Sequence, residues 1–452
     1  MNGAPSPSTR AAVGLAIVAG LFALVWQGSP DTPPPAVPAR MAAVVAPPAP
    51  AAASAALQPP GPPSLDAFAS LYAAAASAMP AASTPLAADE IEVCGVGRVK
   101  AKDGQALDRT LFTSAAEQAR KRLVATLAQH PDELARAAGL LLQRDDGPPH
   151  ANAPQPCDGG NCAPAGSEAE HQRQPRLLAN AAQRDALAQM AVSTRSAAVY
   201  TLAWRACQAS PGGNCQLLST RQLTTLDPNN ADAWLEVAAE ADQRGEPGIV
   251  DEALYRASKA GTADLRTGQL AALALRNLPP GTPAVERRAV LERVMAIESA
   301  LSLPGTKTLV QHCDANAVRD ANRQQVCSDL AELLARRSTS LLDMSLGQSL
   351  GERAGWPAER VQAVHQERDA FAQAMKPLAA APGTEWSCPQ IERSARWVLE
   401  VGQFGEVGAA RMLIARSGQN VAVLAKQYQD DRAAAARAAS SPASGTVALS
   451  QR

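Results

Sequence analysis

The stretch Leu226–Ala260, LDPNNADAWLEVAAEADQRGEPGIVDEALYRASKA, carries the clearest structural signal in the chain. It is entered through an Asp-Pro-Asn-Asn corner. Apolar side chains then follow at helical spacing: Trp234, Leu235, Val237, Ala238 and Ala241. Gly245 marks a tight turn, and a second helical segment carries Leu254 and Ala257. The reading is a helix, a turn and an antiparallel helix. Its alanine-rich face lets the two helices approach closely, Leu254 fills the gap opposite, and Trp234 belongs to the core.

Working outward, the composition fits a helical chain. Aromatic residues are 3% of the 452 residues, while alanine, leucine and arginine dominate. The net charge of -1 supplies no global field for nucleic acid, so no nucleic-acid partner is expected. A chain this long exceeds one ordinary core.

At the N-terminus, residues 1–10 are polar, with Arg10 the lone charged side chain, and form a cytoplasmic stub. Residues 11–30 begin with the apolar run AAVGLAIVAGLFALVW and hold no charge, which is enough to cross roughly 30 Å of hydrocarbon as a helix. Trp26 falls near the exit, where an indole favours the interface. The positive end is N-terminal, so the expectation is a single-pass inner-membrane anchor with the C-terminal body in the periplasm. The alternative is a signal peptide, cleaved to release a secreted body.

Residues 31–88 are a Pro/Ala linker (DTPPPAVPAR, APPAP, QPPGPP) with polyproline II character. Its reach is on the order of 150–180 Å at ~3.1 Å per residue. Within it, Leu65, Phe68, Leu71 and Tyr72 share one helical face, a candidate docking helix.

The body is read as residues 89–437, followed by a flexible tail, 438–452. Ile91–Arg98 is the stretch with strand character. Helical segments follow at 107–129 and 131–142, then a loop at 145–175. Further segments are read at 264–277, 284–303, 306–320, 322–344, 357–376, 389–401, 406–417 and 420–436. Pro/Gly breaks such as LPPGTP, GWP and GQFG separate them. Short breaks between helices imply antiparallel neighbours.

Eight cysteines occur without a CxxC: Cys94, Cys157, Cys162, Cys207, Cys215, Cys313, Cys327 and Cys388. An even set lacking metal spacing suggests disulfides in an oxidising compartment. Cys157 and Cys162 are close enough for a local ring, Cys207 and Cys215 close a helical corner, and Cys313 and Cys327 sit near facing helix ends. Cys94 and Cys388 remain. Spacing alone does not fix connectivity, since eight cysteines permit about 105 pairings.

Leu226–Ala260 resembles one tetratricopeptide repeat. Pro228 matches the family's helix-ending proline, Trp234 its early tryptophan, Gly245 its turn glycine, Leu254 its large aromatic position and Ala257 its small one. Val237-Ala238 stands in place of the usual Leu-Gly pair, and no second copy matches equally. The resemblance implies an all-α, helical-hairpin or repeat-like body. With the disulfides, the anchor and the linker, that body reads as an envelope interaction or scaffold module with a protein partner.

Chemistry-bearing motifs are sparse. No Walker loop, HExxH, GxSxG or SxxK occurs. His130, His150, His171, His312 and His365 are scattered, so no metal ligands and no cofactor are expected. One segment, MAIESAL, places Glu298-Ser299 on an apolar helix. This is similar to the catalytic Glu-Ser of soluble lytic transglycosylases, and implies that a buried Glu298 would protonate a glycosidic oxygen. A cell-wall-acting enzyme is thus the alternative function, alongside a small-ligand-binding helical domain.

Overall fold

Capping side chains start the helices of the body. In the computed structural model, Asp132 caps α2 (Glu133–Leu142) by accepting from the N–H groups of Leu134 and Ala135. Ser196, Asn230, Asp320 and Ser340 do the same for α4 (Ala197–Ala209), α6 (Ala231–Gln243), α11 (Ala321–Arg337) and α12 (Leu341–Arg353). The structure describes residues 86–87, 90–100, 109–143, 181–301, 305–381 and 383–440.

The remaining helices are α1 (Arg109–Ala128), α3 (Ala181–Ser193), α5 (Thr220–Leu226), α7 (Pro247–Ser258), α8 (Gln269–Asn277), α9 (Ala284–Ala300) and α10 (Thr306–His312). The C-terminal part adds α13 (Ala358–Met375), α14 (Cys388–Ser417) and α15 (Val421–Ser440). The predominantly helical body agrees with the all-α expectation. The anchor at 11–30, nearly all of the linker, and the whole 145–175 loop with Cys157 and Cys162 lie outside the described residues. Among the described residues, no helix is long and apolar enough to cross a membrane.

Three local readings change. The strand-like segment at 91–98 is an antiparallel hairpin, β1 (Glu90–Val93) and β2 (Gly97–Lys100), turning through Gly95 at φ 80°. The single helix expected over 322–344 breaks at 338–340, because Ser340 caps a new helix that continues to Arg353. The helix expected to reach residue 320 ends at His312, and only a 3₁₀ turn, Ala317–Arg319, follows. The break expected at GQFG is present as a kink in α14, where Gly405 adopts φ 71°.

Hydrophobic side chains gather into two cores. The first lies among α1–α4, α8 and α9, around Leu123, Leu127, Leu141, Leu187, Tyr200 and Leu291. The second lies among α6, α7, α10–α13 and α15, around Leu254, Leu309, Leu330, Leu334, Met344 and Phe371. Helix α14 serves both. Before the kink it gives Ala395 and Val398 to the first core, and after it Val407, Ala410 and Ile414 to the second, with Trp397 touching each.

The 231–258 hairpin turns at Gly245, φ 69°, and Pro247 opens α7. Leu254 and Ala257 are fully buried in the second core. Trp234 is not a core residue. It is half-buried at the rim, its indole N–H donating to the Pro228 carbonyl at 2.8 Å and its ring 5.0 Å from the Arg256 guanidinium. Trp234 thus fastens the entry corner to the hairpin.

Disulfides join Cys94 to Cys388, Cys207 to Cys215 and Cys313 to Cys327. The first ties the β-hairpin to the start of α14, reinforced by Cys94 N–H to the Trp386 carbonyl at 2.8 Å and Glu92 N–H to the Gly383 carbonyl at 2.8 Å.

Tyr200 shows how the first core satisfies its polar atoms. Its ring is buried, and its hydroxyl donates to the Ser219 carbonyl (3.0 Å) while accepting from the Ser219 N–H (2.7 Å). Tyr200→Phe therefore strands two backbone groups and is expected to cost about 1–3 kcal/mol, read by urea denaturation. An unchanged midpoint would mean that water reaches Ser219.

Candidate functional site

Polar chemistry concentrates where three interhelical loops meet the α14 kink. The loops run side by side, laced by backbone hydrogen bonds. Ala231 N–H donates to the Thr262 carbonyl (2.8 Å), Thr339 N–H to Ala263 (2.9 Å), and Val407 N–H to Thr339 (3.2 Å). Gly405 permits this approach: its backbone is left-handed, and a Cβ there would lie 2.5 Å from the Thr339 Cβ.

Asn230 is the hub of the lacing. Its Oδ1 accepts from the N–H groups of Asp232 (3.2 Å) and Asp264 (3.0 Å). Its Nδ2 donates to Asp227 Oδ2 (3.0 Å) and the Asp264 carbonyl (3.1 Å). Asp264 Oδ1 in turn accepts from the Thr339 hydroxyl (2.8 Å) and Arg266 N–H (2.9 Å). Arg266, at φ 53°, is the non-glycine residue with positive φ among the described residues, and it pairs with Asp227 at 2.8 Å. From α4, the buried Arg205 donates to the Leu265 carbonyl at 2.8 Å.

Carboxyl groups crowd this junction. Glu406 on α14 accepts from Leu341 N–H (3.0 Å), and Glu236 on α6 from the Trp204 indole N–H (2.9 Å). Burial raises both carboxyls above their ordinary range. Asp232 is 7% exposed and Asp343 4% exposed, and Oδ2 of each is buried without a hydrogen-bond partner. Burial, aided by the Asp264 charge, pushes Asp232 up to about 7 despite Arg205. Burial and the neighbouring Asp232, Glu406 and Asp264 hold Asp343 well above the usual carboxylate range.

Both aspartates sit in the first turn of a helix, where the backbone dipole favours an anion by about 0.3–1 kcal/mol and at most ~2. Desolvating a carboxylate costs several kcal/mol. Desolvation wins, and the neutral form is favoured.

Glu298 lies beyond this junction, toward the first core. The residue keeps some surface, but its carboxyl group is enclosed by protein, near the backbone amide donors of Leu270, Gly268 and Ala271. No side chain makes a capping hydrogen bond at Gly268, the start of α8. Burial pushes Glu298 up to about 7, against those donors and Arg205.

Glu298 and Arg205 line a cavity of about 30 Å³ whose other walls include Leu134, Leu202, Leu273 and Leu301. That is room for two or three waters, since each needs roughly 10–15 Å³. Ser299 points elsewhere. It is exposed, and its hydroxyl donates to the Met295 carbonyl at 2.7 Å. The Glu298-Ser299 pair is therefore not brought together over one cavity.

His150 and His171 lie outside the described residues, and the three described histidines stay apart. His130 Nδ1 accepts from Asp132 N–H (3.1 Å), His312 contacts Asp242 (3.0 Å) and His365 lies 3.5 Å from Asp369. No group of three or more His, Cys, Asp or Glu placed to hold a metal occurs among the described residues.

Sequence reasoning passed over Arg205, Asn230, Asp232, Asp264, Asp343 and Glu406. One signal was available: Arg205 interrupts the apolar helix AAVYTLAWRACQA, and a buried arginine needs carboxylates. No protein-family model, curated protein or solved structure matches this chain.

Proposed function

We propose that the chain is a membrane-anchored envelope protein whose helical body docks a protein partner through the outer side of the 231–258 hairpin. One observation carries the reading: the concentration of amphipathic side chains there. Tyr255 is 51% exposed with Lys259 5.6 Å from its ring, Ile249 is 44% exposed, and Arg256 stands over Trp234. Tyrosine, tryptophan and arginine are the residues enriched at interface hot spots. In a chain with only 6 Trp and 4 Tyr, this gathering on one hairpin supports a docking role. The apolar run at 11–30 and the Pro/Ala linker support anchoring at a distance.

The test uses the full chain in its native envelope. Site-specific cross-linking at Glu252, exposed on the same helix, is expected to capture a defined protein. Ile249→Asp with Tyr255→Ala is expected to lower capture at least about tenfold, the consequence of losing ~1.4 kcal/mol, without moving the melting temperature. Equal capture by the variant and the wild type sinks the proposal. N-terminal sequencing of the detergent-extracted protein tests the anchor, and a start beyond Gly28 would count against it.

A further inference from the structure

We propose that Asp232 and Asp343 are a buried, proton-bearing carboxyl pair at the loop junction, and that loss of this proton to solvent loosens the lacing that holds the two cores together.

The geometry carries the argument. Each aspartate has an Oδ2 shut away from solvent that finds no hydrogen-bond partner among the described residues. An ionised carboxylate needs several donors to replace its hydration; a protonated carboxyl needs far less. The surroundings reinforce this. Asp232 is faced by Asp264 and Asp227 from the loops, Glu236 from its own helix, and Arg205 from α4. Asp343 is faced by Asp232, Glu406 from α14, Asp264, and Arg205. Arg266 is already paired with Asp227. Among the described residues, two guanidiniums, Arg205 and Arg266, stand among six carboxyl groups, so ionising Asp232 and Asp343 together adds two charges where carboxyls already outnumber cations.

The junction is also where loosening has structural leverage. Asp232 follows the Asn230 hub directly, and Asp343 lies in the turn that Ser340 caps and Glu406 buttresses. The backbone bonds of Ala263, Thr339 and Val407 are what join the 261–266 loop to the α11–α12 loop, and that loop to the kink of α14. Charge repulsion there strains these bonds before it reaches either apolar core.

The sign follows from proton linkage. Between the ordinary value of 3.8 and about 7, the folded junction binds protons that the opened junction does not. Raising the pH through this window therefore favours opening. Between roughly pH 5.5 and pH 8, a single such proton shifts the opening equilibrium about thirtyfold, most of it below the folded value.

Hydrogen exchange on the full-length protein, corrected for intrinsic exchange rates, tests this. The protection of the Ala263, Thr339 and Val407 amides is expected to fall about tenfold or more from roughly pH 5.5 to 8. Amides in the first core, such as Leu123 and Leu127, should keep theirs. Asp232→Asn with Asp343→Asn should remove the pH dependence. Equal protection at both pH values, or a dependence that survives in the double variant, overturns the proposal. If the double variant does not fold, infrared difference spectra of Asp343→Asn against wild type at neutral pH decide: a missing protonated-carboxyl band supports the pair, and its absence from wild type overturns it. Millimolar calcium or magnesium that abolishes the pH dependence also overturns it, since a cation rather than a proton would then neutralise the junction.

Discussion

Replacing Cys94 and Cys388 together by serine is expected to produce the largest loss of stability of any surface-distant pair, up to roughly 5–6 kcal/mol in the chain-entropy model. The bond spans 294 residues of sequence, so it closes nearly the whole body into one ring. The native side of the balance is modest. The β-hairpin docks on the 383–388 segment through two backbone hydrogen bonds and the buried Val93, and Arg288 faces the Trp386 ring at 5.9 Å. Without the disulfide, a four-residue strand pair has little to hold it, because isolated hairpins are marginal in water.

Guanidinium denaturation of the double variant under oxidising conditions reads the effect, with the Cys207 and Cys313 bonds intact as internal controls. Removing Cys207–Cys215, which closes only 8 residues of separation, should cost clearly less. A Cys94/Cys388 cost below about 1 kcal/mol would mean that the denatured chain already keeps these segments together, since entropy confers stability only on a loop that is otherwise open.

What could be read beforehand divides along physical lines. The 231–258 hairpin was legible because its signals are local: a Pro corner, an apolar period, a turn glycine and a helix-opening proline act within a few residues. The kink at Gly405 was legible for the same reason. The break at 338–340 was not, since Ser338-Thr339-Ser340 contains neither Gly nor Pro, and the helix stops there through the bonds of Thr339 to Asp264 and Ala263 and the Ser340 cap. Trp234 was misplaced because helical period gives a direction and not a depth. Its side chain lies along the rim, where the Pro228 carbonyl takes its N–H. The acidic junction was invisible for a further reason. Asp232 and Asp343 each look like an ordinary first-turn acid. Only the stacking of three loops, separated by dozens of residues, makes them neighbours in a dry place.

Close helix packing produces the second large effect, and it carries its own control. Helices α11 and α12 cross at Gly347, where an added Cβ would lie 2.5 Å from the Ala335 nitrogen, 2.8 Å from the Ala331 carbonyl oxygen and 3.0 Å from the Ala335 Cα. All three are backbone atoms, so no rotamer change relieves the overlap, and the helices must separate. Propensity argues the other way, because alanine in a helix interior is better than glycine by about 1 kcal/mol. The clash should win. Overpacking typically costs 1–3 kcal/mol, and here it also pulls Leu330, Leu334 and Met344 out of contact in the second core. Gly347→Ala is expected to be destabilised by about 2–3 kcal/mol net, and Gly347→Val to lose cooperative unfolding of the second core. Gly248 on α7 is the matched control: it is exposed, and nothing lies within 4 Å of its added Cβ. Gly248→Ala should be neutral or stabilising by up to ~1 kcal/mol. The two alanine variants therefore move the thermal midpoint in opposite directions. If both rise together, α11 and α12 separate at little cost, and an added methyl finds room between them.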